Sequence, residues 1–313
     1  MSKYRELDAI NYSRLSNLDE GPWKLLQDIS GSKAFSLGTG VDVLLFDGQK
    51  ELDKQCIVTT LEEPTATLKI LMDYCYKNNL NQEWLIEEYV NVLKDDGKYV
   101  LWSTTKDLEI RKNKWNTVYF WKYLEFLRES KDKTKLIGDD MFKIKEAVQH
   151  LKFSDFTKRI FEDKRGLSQV ELVHKIDGQL FKGKLDWIIK DDDEKIIYPF
   201  DLKTTSKSLK AWKLGVLKYR YDIQSSLYKH LLELEFPDYQ IADFKMVVYS
   251  FVSKNANIFN LRNYYEKAKE GYIHKEQYVK GWLQLADELV WHNENQLFEH
   301  EKQTYLNNGN IIL

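Results

Sequence analysis

Three short stretches of the chain hold residue types that could together cleave a phosphodiester. They are Gly183-Lys184-Leu185-Asp186, then Asp201-Leu202-Lys203-Thr204-Thr205 fifteen residues after that first Asp, then Tyr221-Asp222-Ile223-Gln224-Ser225-Ser226-Leu227-Tyr228. Hydrolysis of a phosphodiester calls for a hard cation to neutralise the phosphate. Mg²⁺ prefers carboxylate oxygen and water, and binds through one or two carboxylates plus the substrate. Asp186 and Asp201 are the candidate ligands, and Mn²⁺ is an acceptable substitute. An ammonium beside the metal can orient the attacking water or stabilise developing charge, which is the role expected of Lys203. An Asp-x-Lys pair alone would be an ordinary exposed strand pair of little energetic consequence. The ordered set is what points to a site.

The elements that must position these groups follow from local pattern. Gln169 to Lys190 reads as a hairpin turning at Ile176-Asp177-Gly178-Gln179, and Asp-Gly is a strong hairpin signal. The charged run Asp191-Asp192-Asp193-Glu194-Lys195 makes a second turn, and Ile196 to Lys203 a third antiparallel strand. Side chains alternate along a strand, so Asp201 and Lys203 share one face while Phe200 and Leu202 take the other. Pairing across the second turn can set Asp186 beside Asp201. Glu171, in the first strand of the hairpin, is a further candidate for catalysis and metal ligation, or else a solvated carboxylate. His174 should face away from it and is read as structural. Tyr221, Gln224 and Tyr228 fall on one helix face, where an amide and two phenols could meet phosphate or water, or simply edge an amphipathic helix.

Between Lys203 and Arg220 stand Lys207, Lys210, Lys213 and Lys218 with no acidic residue, interrupted by Trp212 and Tyr219. Cations there suit backbone phosphates without reading bases. Trp212 could stack on an unpaired terminal base, or it could anchor the core beneath a solvated loop. The other tryptophans, including Trp115, Trp121 and Trp282, are read as core.

Composition narrows the choices. A net charge of −2 means that attraction to DNA must come from local patches. Two cysteines, Cys56 and Cys75, suggest a reducing compartment and are too few to hold an iron–sulfur cluster through four thiolates. Met1 to Asp8 lacks an apolar signal core and no apolar run approaches a membrane span, so a cytoplasmic protein without membrane contact is expected. Helices are predicted over 11–29, 41–46, 65–78, 81–93, 115–127 and 141–161, with strands near 99–102 and 243–253. A polar loop is predicted over 130–140, a largely helical stretch over 261–298, and a loose or partner-bound tail over 299–313. The expected organisation is a single nuclease domain over 1–313: a helical N-terminal portion at 1–140, a core at about 141–262, and C-terminal helices over 263–298. The role of 51–140 is unassigned.

The motifs Gly-x-x-Asp, Asp-x-Lys-Thr-Thr and Tyr-x-Tyr-x-x-Gln-x-x-x-Tyr resemble those of the PD-(D/E)xK nuclease superfamily and, within it, the RecE-type (exonuclease VIII-like) phage and prophage exonucleases. The likeness is densest from Met141 to His230, with a weaker echo at Leu37 to Leu45. It implies an α/β, restriction-endonuclease-like fold, a mixed β-sheet core flanked by helices. It implies a Mg²⁺-dependent exodeoxyribonuclease that degrades linear double-stranded DNA from an end, 5′ to 3′. It further implies a homo-oligomeric ring and a role in recombination beside a single-strand annealing protein. Asp42 stands where relatives usually carry a histidine; an aspartate there is still an oxygen ligand, or a helix-surface carboxylate. On this reading Asp186 and Asp201 hold one metal, or two with Glu171 or Asp42. Water attacks phosphorus and a 5′-phosphate product results. A single-strand- or structure-specific endonuclease of the same superfamily, and an inactive nuclease-fold DNA-binding subunit, remain the alternatives.

Overall fold

The computed structural model describes residues 3–27, 33–62, 64–79, 117–130 and 133–310. The helix predicted over 81–93, the strand near 99–102 and Trp115 lie outside the described residues. The chain divides into two compact units, one of Met1–Phe46 with Lys145–Leu313 and one of Asp47–Ile144.

The larger unit begins with α1 (Lys3–Glu6), α2 (Tyr12–Glu20), a 3₁₀ turn (Pro22–Leu26) and α3 (Lys33–Phe46). Asn11 caps α2 by accepting from the Arg14 amide, and Gly21 ends it, so the helix predicted over 11–29 stops early. The smaller unit carries α4 (Gln49–Gln55), β1 (Cys56–Thr59), α5 (Ala66–Lys77), α6 (Val118–Glu129), β2 (Thr134–Ile137) and the start of α7 (Asp140–Phe153). Its core is Met72, Cys75, Phe120, Tyr123, Leu124, Phe126 and Leu127. β1 and β2 pair in parallel, so a strand occupies part of the polar loop predicted over 130–140. Four-residue strands made by long-range pairing leave little periodicity to read.

The larger unit resumes with α7 and α8 (Lys158–Phe161), followed by β3 (Gly166–Ile176), β4 (Gln179–Asp191) and β5 (Ile196–Thr205). Next come α9 (Leu209–Lys213), α10 (Tyr221–Glu235), β6 (Gln240–Ile241), β7 (Lys245–Ser250) and β8 (Asn255–Asn260). The sheet order is β3-β4-β5-β7-β8, with β6 also on β5. β3, β4 and β5 are successively antiparallel, β7 runs parallel to β5, and β8 returns antiparallel. This is the mixed sheet flanked by helices that the motifs imply. Asp177 and Gly178 make the first turn with φ of 46° and 85°, the left-handed pair a two-residue hairpin requires.

α10 returns the chain from β5 to the parallel β7 and buries Ile223, Leu227, Leu231 and Leu232 on the sheet. It comes close because β4 has a glycine there. A Cβ on Gly183 would fall 2.9 Å from the Tyr228 ring and 3.0 Å from Leu231. On the opposite face α3 approaches β5, and a Cβ on Gly38 would meet the Thr204 hydroxyl at 2.9 Å.

Two expectations about organisation change. The N-terminal residues belong with the sheet rather than with a helical portion ending at 140, because Ile10 bridges Phe181 of β4 in parallel. The stretch predicted to be largely helical over 261–298 contains α11 (Tyr265–Glu270), a hairpin of β9 (Gly271–His274) and β10 (Gln277–Lys280), and α12 (Trp282–Asn295). The hairpin turns at Lys275-Glu276, both at positive φ, a pair without the usual Asn or Gly signal. The segment predicted as a loose tail forms α13 (Lys302–Leu306), whose Tyr305 ring packs at 5.7 Å from Trp291.

Gly183→Ala is expected to force α10 and β4 apart and lower unfolding stability by about 1–3 kcal/mol, the cost of overpacking a filled core. Urea denaturation followed by tryptophan fluorescence measures it.

Candidate active site

The site forms where two strands part. β4 and β5 pair from Asp191↔Ile196 to Trp187↔Phe200, and there the ladder ends. One step further on, the Asp186 carboxylate takes the place of a ladder acceptor, its Oδ2 receiving the Leu202 amide at 2.8 Å. Further along β4, the vacated edge is taken by the N-terminal segment: the Ile10 amide donates to the Leu180 carbonyl, and the Lys182 amide to the Ile10 carbonyl. Lys182 also reaches back to donate to the Tyr4 and Leu7 carbonyls. The strands therefore enclose a fork with Asp186 at its apex.

Side-chain alternation also breaks at this point. Leu185 and Ile188 both enter the core under α10, while Trp187 between them stacks on Phe46 of α3. Two core residues three apart cannot share a face of a regular strand. The β3–β4 register passes over Gln169 and Asp186, between Ser168↔Trp187 and Val170↔Leu185, and Gln169 has a φ of 54° that non-glycine residues seldom adopt. The Asp186 carboxylate turns to the Leu202 amide, into the fork.

Asp201 projects toward α10 and is only 2% exposed. Its Oδ1 accepts from Gln224 Nε2 at 2.8 Å and its Oδ2 lies 2.6 Å from Lys203 Nζ. Lys203 Nζ also sits 5.4 Å from the centre of the Tyr221 ring. Burial, reinforced by the Asp201 charge, pushes the Asp186 carboxyl up to about 7. Burial would lower Lys203, but Asp201 and Asp186 outweigh it and hold the ammonium well above its ordinary range. One cation thus faces two carboxylates. The Gln224 carbonyl oxygen is buried with no hydrogen-bond partner among the described residues. Two converging carboxylates short of positive charge, with a spare amide oxygen nearby, fit an oxygen-preferring divalent cation.

The structure brings together Asp186, Asp201, Lys203, Gln224 and Tyr221, and the buried Tyr228 hydroxyl lies within reach of the Asp201, Lys203 and Asp186 charges. Glu171 is exposed and pairs in register with Lys184, and its charge acts with burial to raise the Tyr4 hydroxyl to about 12. Asp42 lies on α3 midway between Gly38, packed on Thr204, and Phe46, packed on Trp187, at the level of the fork. Among the described residues no three His, Cys, Asp or Glu side chains form a group able to hold a metal.

Three expected DNA contacts are corrected. Arg220 is 4% exposed and left-handed in backbone, with its guanidinium on Asp19 and Asp222 and on the Lys280 carbonyl. A cation committed to two carboxylates ties the loop to the core and has no charge to offer a phosphate. Trp212 is also buried, stacked 5.5 Å from Tyr221 and 4.7 Å from Phe259, so it anchors the loop instead of meeting a base. Tyr228 is core, its ring over Gly183 and Phe244. Lys207, Lys210, Lys213 and Lys218 are exposed along the loop. Sequence reasoning missed Tyr12, whose hydroxyl donates to the Tyr219 carbonyl and whose ring lies 6.5 Å from Tyr221. Nothing local marks it, since only the fold brings it to Lys203.

Among the described residues no helix is long and apolar enough to cross a membrane. No curated protein sequence matches the chain. Solved structures that resemble it include one from Eubacterium rectale described as "Putative exonuclease", at 10% identity and a TM-score of 0.42, covering 98% of this chain and 90% of that one. Another is SSO0001, at 14% identity and a TM-score of 0.27, covering 58% and 69%. The family described as "PDDEXK-like domain of unknown function (DUF3799)" matches residues 1–259. The chain that builds this fork is thus a member of that PDDEXK-like family, within the PD-(D/E)xK nuclease superfamily.

Proposed function

We propose that the protein is a Mg²⁺-dependent exodeoxyribonuclease that degrades linear duplex DNA from an end, with Mn²⁺ able to replace Mg²⁺. The observation that carries the nuclease reading is the convergence of Asp186, Asp201 and Lys203 in one strand fork. Action from an end, 5′ to 3′ polarity, a ring-shaped homo-oligomer and a single-strand annealing partner rest on the RecE-type order of the motifs.

Asp186 and Asp201 would hold the metal, which when bound supplies Lewis-acid stabilisation of the phosphate and its leaving oxygen. The chain's own groups do the rest. Ionised Asp186 and Asp201 against one Lys203 leave one net negative charge, so a divalent ion turns the site to one net positive charge, matched to a phosphodiester. Lys203 stays protonated because both carboxylates favour its charge, and it can donate to the attacking water or to a non-bridging oxygen. Gln224 fixes the Asp201 carboxylate through Oδ1, leaving Oδ2 toward Lys203. The exposed Lys207, Lys210, Lys213 and Lys218 provide phosphate contacts that carry no sequence information.

Asp186→Ala is expected to abolish Mg²⁺-dependent digestion of end-labelled linear duplex while the fold persists. Lys203→Ala should cost about 10²–10³ in kcat. Gln224→Ala, acting through Asp201, should cost roughly 10–100-fold in metal affinity or activity. Timed digests of linear, closed-circular and single-stranded DNA check these outcomes and the end requirement together. A fully active Asp186→Ala variant sinks the assignment.

The pH profile follows from Asp186. A carboxyl raised to about 7 is increasingly protonated below neutrality, so protons compete with the metal there. Mg²⁺ affinity should rise with pH from about 6 and level off near 8, measured by calorimetry at each pH. In Asp186→Asn that rise should disappear.

A further inference from the structure

An ordered alternation of cations and rings leads outward from the fork. Lys203 lies by Tyr221, whose ring centre is 5.7 Å from that of Tyr219. Lys207 Nζ sits at the rim of the Tyr219 ring, 3.5 Å from its hydroxyl and 5.8 Å from its centre. Exposure grows along this path, from the largely buried Lys203 to Tyr219 at 40% and the exposed Lys207.

Tyr219 is held firmly for an exposed ring. It lies against Gly215, where a Cβ would fall 3.0 Å from one ring carbon and 3.2 Å from the next. Its amide donates to the Gly215 carbonyl at 2.9 Å, and its own carbonyl accepts from Tyr12. The residues around it, Trp212, Val216 and Arg220, are all buried anchors. An aromatic this constrained and still 40% exposed is built to receive something flat. Proteins that follow single strands pair aromatic stacking faces with cations on the adjoining phosphates.

We propose that Tyr219 is the stacking platform for an unpaired nucleobase of the strand whose phosphate enters the fork, with Lys207 on the adjoining phosphate. This assigns to Tyr219 the role that the sequence suggested for Trp212. It rests on the nuclease reading and specifies the substrate form that site takes, a strand with at least one base out of its duplex.

The test uses the full chain in EDTA, where metal-dependent cleavage cannot interfere. The probes are short single-stranded oligonucleotides carrying 2-aminopurine at each position in turn, and the same oligonucleotides made abasic there. Binding to the wild type should quench 2-aminopurine at one position. Tyr219→Ala should lose that quenching and bind about tenfold more weakly. Tyr219→Phe should keep both properties. Gly215→Ala, which pushes the ring aside, should resemble Tyr219→Ala. With the abasic probe at that position, wild type and Tyr219→Ala should bind alike. Equal quenching and affinity for wild type and Tyr219→Ala would overturn the proposal, as would a Tyr219→Ala loss of the same size on the abasic probe. Because the anchoring contact from Tyr12 goes to the Tyr219 backbone, side-chain variants leave it in place, and matched melting curves verify the fold. The binding readout is separate from cleavage: a wild type that quenches through Tyr219 but digests no DNA with Mg²⁺ supports the platform and removes the nuclease reading.

Discussion

The end of the β4–β5 ladder at Trp187↔Phe200 is the constraint on which the site depends. Had the strands stayed paired, the backbone would have satisfied the Leu202 amide and Asp186 would have pointed onto one face of a closed sheet. Because they part, the carboxylate itself satisfies that amide, and a buried donor is not left unpaired. The left-handed Gln169, the switch of faces between Leu185 and Ile188, and the entry of Ile10 beside β4 are all parts of one local departure from regular pleating. Backbone irregularity of this kind is sustained only where surrounding packing holds it, and here Trp187 is held by Phe46 and Phe161 on one side while α10 closes the other.

The fork then sets the electrostatics. Two carboxylates brought together in a largely buried site repel, and desolvation adds to the penalty on their charge. Lys203 relieves part of it at 2.6 Å from Asp201, and Gln224 contributes a neutral donor on the other oxygen. The remaining imbalance appears at Asp186, the carboxyl that binds its proton too tightly for an ordinary aspartate. Such residual strain fits a group whose proper partner is a divalent cation. Arg220, by contrast, is a cation whose two carboxylates balance it, and it serves the fold.

Much of this was legible in the sequence because the motifs lie on consecutive strands. The Asp177-Gly178 turn, the charged turn after Asp191 and the alternation through Asp201 and Lys203 are local signals, and they gave the hairpin, the third strand and the shared face of Asp201 and Lys203. Gln224 was legible through helical spacing from Tyr221. Simple strand parity could not foresee the break at Asp186, since a left-handed Gln169 carries no composition signal. Burial was the other blind spot. Trp212, Tyr228 and Arg220 sit in a polar-looking stretch, and only the return of α10 over the sheet shows that they face inward. Tyr12 is distant in sequence and is brought beside Tyr221 and Lys203 only by the fold, through the Ile10 bridge and its own bond to the Tyr219 carbonyl, so the N-terminal residues could not be assigned to the site from pattern alone.

The central claim is that Asp186 and Asp201 share a divalent cation inside the fork. An anomalous-difference map from crystals soaked in Mn²⁺ tests it most directly. The account predicts a peak within ligation distance of both carboxylates, absent from crystals of Asp186→Asn. A strong Mn²⁺ peak elsewhere on a chain that still digests DNA, with none between Asp186 and Asp201, would contradict it.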